Sequence, residues 1–101
     1  MIKYKYEDKE FLLEFDRASV EFLEKTGFNL QEFSSKVATM QTLLFRGAFL
    51  KNYKYEKGLN YDKMWAAVGN KQGLTNALLE MVAETYYSLM DEEGNENWEV
   101  I

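Results

Sequence analysis

Residues 40–50 read Met-Gln-Thr-Leu-Leu-Phe-Arg-Gly-Ala-Phe-Leu, and as a helix this segment has more apolar surface than one core-facing stripe requires. A surface helix usually shows an apolar stripe of about 100° or slightly more. Here the main apolar face consists of Met40, Leu43, Leu44, Gly47, Ala48 and Leu50. Phe45 and Phe49 lie one turn apart outside that face. The helix is therefore either covered on several sides or in contact with a partner.

The composition removes several kinds of chemistry. The chain contains no His and no Cys, so it has neither an imidazole base nor a thiol nucleophile, and zinc sites of the usual nitrogen and sulfur type are excluded. Carboxylates act as acid or base only where burial or a like charge raises a pKa. The two candidate groups, Glu7 with Asp8 and Glu10, and Glu80 with Glu84, are better explained as solvated side chains. We therefore expect a protein that is not an enzyme and has no cofactor or metal.

The chain shows no apolar run of membrane-spanning length and no signal-peptide pattern, and the lack of disulfides fits a cytoplasmic protein. Its net charge is -5, and all 12 Lys and Arg residues lie between Lys3 and Lys71, whereas residues 72–101 contain acidic groups only. Such a balance disfavours binding to nucleic-acid phosphates, which requires clustered Lys and Arg. We expect neither nucleic acid nor a membrane as partner.

One basic and aromatic cluster departs from this balance, at Lys51, Tyr53, Lys54, Tyr55 and Lys57. It could form a small nucleic-acid patch, with lysines on phosphates and tyrosines stacked on bases. The favoured interpretation is a helix C-terminus, where lysines complement the helix dipole and tyrosines lie at the edge of the core before Gly58 ends the segment.

The N-terminus predicts a β-hairpin over about residues 2–15. Ile2, Tyr4 and Tyr6 alternate with lysines, and a second alternating run carries glutamates on the far side of Glu7-Asp8-Lys9. Opposite charges on the two strands favour antiparallel pairing. An isolated hairpin is only marginally stable, so this one must pack on helices.

The remaining sequence predicts about five helices, at about 17–25, 29–35, 39–52, 61–68 and 74–90. Asp16, Asn29, Thr39 and Asn60 are the predicted N-caps, and Gly27 is a C-terminal stop. The predicted fold is α+β and mainly α, with residues 1–90 forming one domain. Residues 91–101 are predicted to form an acidic, mobile tail in which Trp98 is a candidate docking anchor.

The last predicted helix repeats the excess of apolar surface. One face consists of Leu74, Ala77, Leu78, Met81, Val82 and Leu89, and a second face consists of Leu79, Ala83, Tyr86 and Met90. Glu80 and Glu84 mark its polar edge.

The order of these signals resembles a known family. A short hairpin is followed by Leu-Glu-Phe-Asp-Arg-Ala at residues 13–18, Phe-Leu-Glu at 22–24, Gly-Phe at 27–28 and Leu-Leu-Phe-Arg-Gly-Ala-Phe at 43–49. Over about residues 2–90 this arrangement is similar to tail assembly chaperones of long-tailed siphophages and related prophages.

The resemblance implies a non-enzymatic role in the cytoplasm of a bacterial host. Such chaperones bind the long tape measure protein, keep it soluble and help recruit subunits of the major tail tube protein. A surface for a mostly helical client must tolerate many sequences, and Met and aromatic side chains do so. The candidate partner-binding residues are Phe45, Phe49, Leu79, Tyr86 and Met90.

Three alternatives remain open at this level. The two broad helices can lie centrally, covered on two sides by the hairpin and the other helices. The same apolar patches can instead mediate self-association into a homo-oligomer. From another functional class, the chain can be a small acidic regulatory protein that occupies a basic surface of a nucleic-acid-binding partner.

Overall fold

The computed structural model describes residues 1–90 and 97–100. Within these residues, two strands are followed by five α-helices, with a short 3-10 helix between the first and the second. The prediction of an α+β, mainly α fold, with an N-terminal hairpin packed on helices, is confirmed. The predicted mobile tail falls largely outside the described residues, since only 97–100 of it are described.

Strands β1 (Ile2–Tyr6) and β2 (Lys9–Leu13) form an antiparallel hairpin in which Tyr6 pairs with Lys9. The connection is therefore Glu7-Asp8, one residue shorter than predicted, and Glu7 has a φ of 56°. A positive φ in a two-residue connection matches the twist of the flanking strands. The predicted charge complementarity is confirmed at one pair, where Lys5 lies opposite Glu10.

Helix α1 (Arg17–Lys25) has the predicted bounds, and Asp16 is its N-cap. The Asp16 Oδ1 atom accepts a 2.8 Å hydrogen bond from the Ser19 N–H, and Ser19 Oγ accepts one of 2.7 Å from the Asp16 N–H. This reciprocal pair satisfies two backbone donors at the helix start. Gly27, with a φ of 97°, follows the helix end as predicted.

A 3-10 helix (Leu30–Ser35) runs directly into helix α2 (Val37–Gly47). Its predicted cap is confirmed, because Asn29 Oδ1 accepts a 2.8 Å hydrogen bond from the Gln31 N–H. The predicted Thr39 cap of the next helix is wrong. The Met40 N–H already donates to the Lys36 carbonyl at 2.9 Å, so the first turn of α2 forms upstream of Thr39.

The predicted helix at 39–52 is two helices, because α2 ends at Gly47 and α3 (Leu50–Tyr53) begins after a tight turn. In that turn the Phe49 N–H donates to the Arg46 carbonyl at 3.2 Å, three residues back instead of four. The Ala48 carbonyl accepts a 3.0 Å hydrogen bond from the Glu14 N–H. A bond to a distant segment therefore replaces one that would continue the helix.

Helix α4 (Tyr61–Ala66) begins at the predicted Asn60 cap, whose Oδ1 accepts a 3.1 Å hydrogen bond from the Lys63 N–H. Helix α5 (Lys71–Met90) begins three residues earlier than predicted. Asn70 Oδ1 accepts a 3.1 Å hydrogen bond from the Gly73 N–H, so Gly73 belongs to the first turn and does not break the helix.

Helix α3 covers the outer edge of β2. The Leu12 N–H donates to the Tyr53 hydroxyl oxygen at 2.7 Å, and the Leu12 carbonyl accepts from Asn52 Nδ2 at 3.1 Å. An uncovered strand edge would expose unpaired backbone groups. These bonds fix the hairpin on the helices at the edge where β2 would otherwise be open.

One cluster of buried apolar side chains joins the hairpin to helices α1, α2, α4 and α5. Its members are Phe11, Leu13, Phe15, Val20, Leu23, Phe28, Met40, Leu44, Phe45, Ala48, Phe49, Met64, Val68, Leu78 and Val82. A single cluster of this extent explains how a chain of 101 residues buries two strands and several short helices together.

Candidate protein-binding site

The second apolar face predicted for residues 40–50, which span the end of α2 and the turn after it, lies inside the protein. Phe45 and Phe49 both have 0% exposure, so the expectation that they form an accessible binding surface is wrong. The alternative, in which this broad helix packs centrally and is covered on two sides, describes what is observed.

The cover over Phe45 comes from the hairpin and from α4. The Phe45 ring centroid lies 5.6 Å from that of Tyr4 and 5.2 Å from that of Trp65. The contact with Tyr4 is edge to face, a geometry that stabilises an aromatic pair beyond its buried area. Sequence periodicity cannot reveal this cover, because both partners are far from α2 along the chain.

Phe49 lies at the centre of the aromatic side chains. Its ring centroid is 5.0 Å from Phe45, 5.5 Å from Phe11, 5.2 Å from Tyr61 and 6.0 Å from Tyr53. Strand β2, helix α3 and the start of α4 thus meet on one ring. Phe49 is a structural residue.

The main face of α2 is core, as predicted. Leu44, Gly47 and Ala48 are buried, while Leu43 is half-buried. Gly47 lies against α1, where an added Cβ would come within 2.7 Å of Leu23 Cδ2. The glycine therefore allows the two helices to cross closely.

Helix α5, unlike α2, is only partly covered over its C-terminal half. The buried residues of α5 are Thr75, Leu78 and Val82, so its last two turns contain none. With a rise of about 1.5 Å per residue, the part after Val82 extends for about 12 Å. Apolar side chains in this part retain access to solvent.

Three of the predicted partner-binding residues lie on this helix. Met90 is 82% exposed, and Leu79 and Tyr86 are half-buried. The structure adds Tyr87, which is 70% exposed and follows Tyr86 directly. We name the set Leu79, Ala83, Tyr86, Tyr87 and Met90 the α5 surface. The helical periodicity of the sequence does not single out Tyr87, because this residue lies at the border of the second apolar face.

The polar edge of the α5 surface is acidic, because Glu80 and Glu84 are both exposed. Burial raises the pKa of the Tyr86 phenol, and the nearby Glu24 carboxylate raises that pKa further. The phenol therefore stays protonated at neutral pH and can donate a hydrogen bond. The surface offers an aromatic hydroxyl group and a flexible thioether beside carboxylates.

The basic and aromatic cluster does not form a continuous stacking platform. Tyr53 is half-buried, with its ring 5.2 Å from Phe11, which agrees with its predicted place at the core edge. Tyr55 is 87% exposed, so its predicted place at that edge is wrong. Lys54 Nζ lies 5.5 Å from the Tyr55 ring centroid, a distance typical of a cation–π contact.

The carboxylates that sequence analysis considered as acid and base are exposed. Within residues 1–90 and 97–100 the structure contains no group of three or more carboxylates placed to hold a metal ion. Over the same residues, no helix combines the length and the apolar character needed to cross a bilayer.

Comparison with known proteins places the chain in a family. Residues 1–101 match the family model described as a domain of unknown function, DUF5055, and the chain belongs to this family. No curated protein and no solved structure gives a significant match.

Proposed function

We propose that this protein is a non-enzymatic tail assembly chaperone that binds the tape measure protein of a siphophage or prophage in the cytoplasm of the bacterial host. The observation that carries the proposal is the α5 surface, where Tyr87 and Met90 are 70% and 82% exposed at the end of a helix with no buried residue after Val82. The likeness of the sequence order to such chaperones supports the same role.

The chemistry of the α5 surface suits a helical client. A helix binds a groove or a second helix through apolar residues spaced three and four apart. Leu79, Ala83, Tyr86 and Met90 have this spacing along α5. Met adapts its shape to different neighbours, and Tyr combines apolar area with a hydroxyl group. Both properties suit a mostly helical client of varied sequence.

The acidic edge sets the orientation of the client. Glu80 and Glu84 are exposed beside the apolar face, one turn apart. Complementary charge steers association and disfavours wrong partners. We therefore expect the bound tape measure segment to carry Lys or Arg next to its apolar stripe. Recruitment of tail tube subunits would follow once the tape measure is coated.

The test is co-expression of this chain with the tape measure protein encoded in the same genome, followed by measurement of soluble tape measure and purification of a complex. The native chain should increase the soluble fraction. The double variant Tyr87→Asp with Met90→Asp should abolish the increase, because two charges then lie on the apolar face.

The matched control is Tyr55→Asp, which changes a tyrosine that is 87% exposed but lies outside α5. Circular dichroism of all variants establishes that the fold is retained. Unchanged tape measure solubility with the native chain, or equal loss in the control variant, would contradict the proposal.

A further inference from the structure

A groove between α1 and α3 has the features of a binding site for one large apolar side chain. Its volume is about 320 Å³, and it is lined by Asp16, Ala18, Phe22, Leu50, Lys51 and Lys54. Phe22 and Leu50 are half-buried and form its apolar part together with Ala18. Ligand sites are commonly concave, largely apolar and of about this size or larger.

The rim of the groove carries two lysines and one carboxylate, so its lining has a net charge of +1. Lys51 Nζ lies 3.4 Å from Glu14 Oε1, so its charge is partly balanced. Lys54 forms no ion pair with any residue that the structure describes, and its Nζ faces the Tyr55 ring. The Asp16 carboxylate is engaged as the cap of α1. The groove therefore favours an apolar group that carries a carboxylate next to it.

The chain itself contains a segment with this chemistry. Trp98 is 66% exposed, Val100 is exposed, and Glu99 lies between them. None of the described residues 97–100 lines the groove, so this segment does not fill the groove of its own copy in the structure. The segment thus exposes an indole ring beside a carboxylate. The groove exposes apolar side chains beside the Lys54 ammonium group. The two surfaces are complementary in both respects.

We propose that the groove between α1 and α3 binds the segment Trp98-Glu99-Val100 of a second copy of this chain. Trp98 enters between Phe22 and Leu50, and the Glu99 carboxylate pairs with Lys54. Each copy supplies one groove and one segment, so two copies exchange segments around a two-fold axis and bury both contacts at once. This inference does not depend on the tail assembly role, which uses the α5 surface.

The test is the oligomeric state of the full chain, measured by sedimentation equilibrium over a range of concentrations. The native chain should form dimers. Trp98→Ala should raise the dimer Kd by about 30-fold or more, since a buried Trp anchor commonly dominates such a contact. Val37→Ala truncates an apolar side chain that is 43% exposed and lies outside both the groove and the α5 surface, and it should leave the dimer Kd unchanged.

A charge exchange tests the pairing of Lys54 with Glu99. Lys54→Glu should weaken the dimer, and the double variant Lys54→Glu with Glu99→Lys should restore it, which a nonspecific loss of folding would not do. A fluorescent peptide of residues 91–101 should bind the native chain and not the Lys54→Glu variant. A native chain that is monomeric at all concentrations, or a dimer insensitive to Trp98→Ala, would overturn the proposal.

Discussion

The Tyr4 hydroxyl donates a 2.6 Å hydrogen bond to the backbone carbonyl of Met64, 60 residues further along the chain. This bond links the first strand to α4 beside the aromatic rings that surround Phe49, and Tyr4 also contacts Phe45 edge to face. The hairpin is thereby held at two places, by Tyr4 on its inner face and by Tyr53 at the edge of β2.

Loss of this hydrogen bond should make the Tyr4→Phe variant less stable than the native protein. The substitution keeps the ring and leaves the Met64 carbonyl without its donor, so the free energy of unfolding should fall by about 1 kcal/mol. Urea denaturation of both proteins measures the difference. A loss below a few tenths of a kcal/mol would mean that water replaces the hydroxyl group at no cost.

The environment of Tyr4 also predicts that the protein loses stability at high pH. Burial, followed by the nearby Tyr6, raises the pKa of the Tyr4 phenol in the folded state. The neutral phenol is therefore favoured by folding, and this contribution is complete below the unfolded pKa of about 10 and lost as the pH rises through the folded pKa. Native protein and Tyr4→Phe should converge in stability above that range, as urea titrations at successive pH values can show.

Phe49→Ala should destabilise the protein by about 3–5 kcal/mol, because it leaves a cavity among the rings of Phe11, Phe45, Tyr53 and Tyr61. The control is Tyr55→Ala, which removes an exposed ring two residues beyond α3 and should change stability by less than about 0.5 kcal/mol. Thermal and urea unfolding of the two variants compare them. Equal effects would contradict the central position of Phe49.

Gly47→Val should destabilise the protein by about 2–3 kcal/mol, because a Cβ at this position would lie 2.7 Å from Cδ2 and 3.0 Å from Cγ of Leu23, a side chain with 0% exposure. Gly69→Val is the matched control, since a Cβ at Gly69 meets nothing within 4 Å. The difference between the two variants isolates the contact of α1 with α2. If both lose the same stability, the close crossing is not the cause.

The interactions of Glu14 predict that the protein loses stability at low pH. A hydrogen bond from Asn52 and the Lys51 ammonium group lower the pKa of the Glu14 carboxyl, against a smaller opposing effect of desolvation. A lowered folded pKa contributes stability above the unfolded value of about 4.3, and the contribution is lost as the pH falls through the folded pKa. Glu14→Gln should therefore be less stable than the native protein at neutral pH and converge with it in acid, as urea denaturation of both proteins at successive pH values can show.

Local signals in the sequence were sufficient for most element positions. Asp16, Asn29 and Asn60 act as caps because a short polar side chain reaches a backbone N–H two or three residues on, a geometry contained in the sequence itself. The hairpin follows from period-two alternation for the same reason. The early start of α5 is not evident from the sequence, because Gly69 and Gly73 favour a break between helices, whereas in the structure Asn70 caps the helix around Gly73.

Tertiary structure decided what the sequence left open. The break after Gly47 depends on the Ala48 carbonyl meeting Glu14, and the burial of Phe45 and Phe49 depends on rings from β1, β2 and α4. Periodicity measures how much apolar surface a helix has, but not how many neighbours cover it. The sequence thus determined two helices with excess apolar surface. Only the packing placed the additional apolar surface of α2 in the core, because the hairpin and α4 cover α2 on a second side. It left part of the additional apolar surface of α5 exposed, because the last two turns of α5 extend beyond its last buried residue.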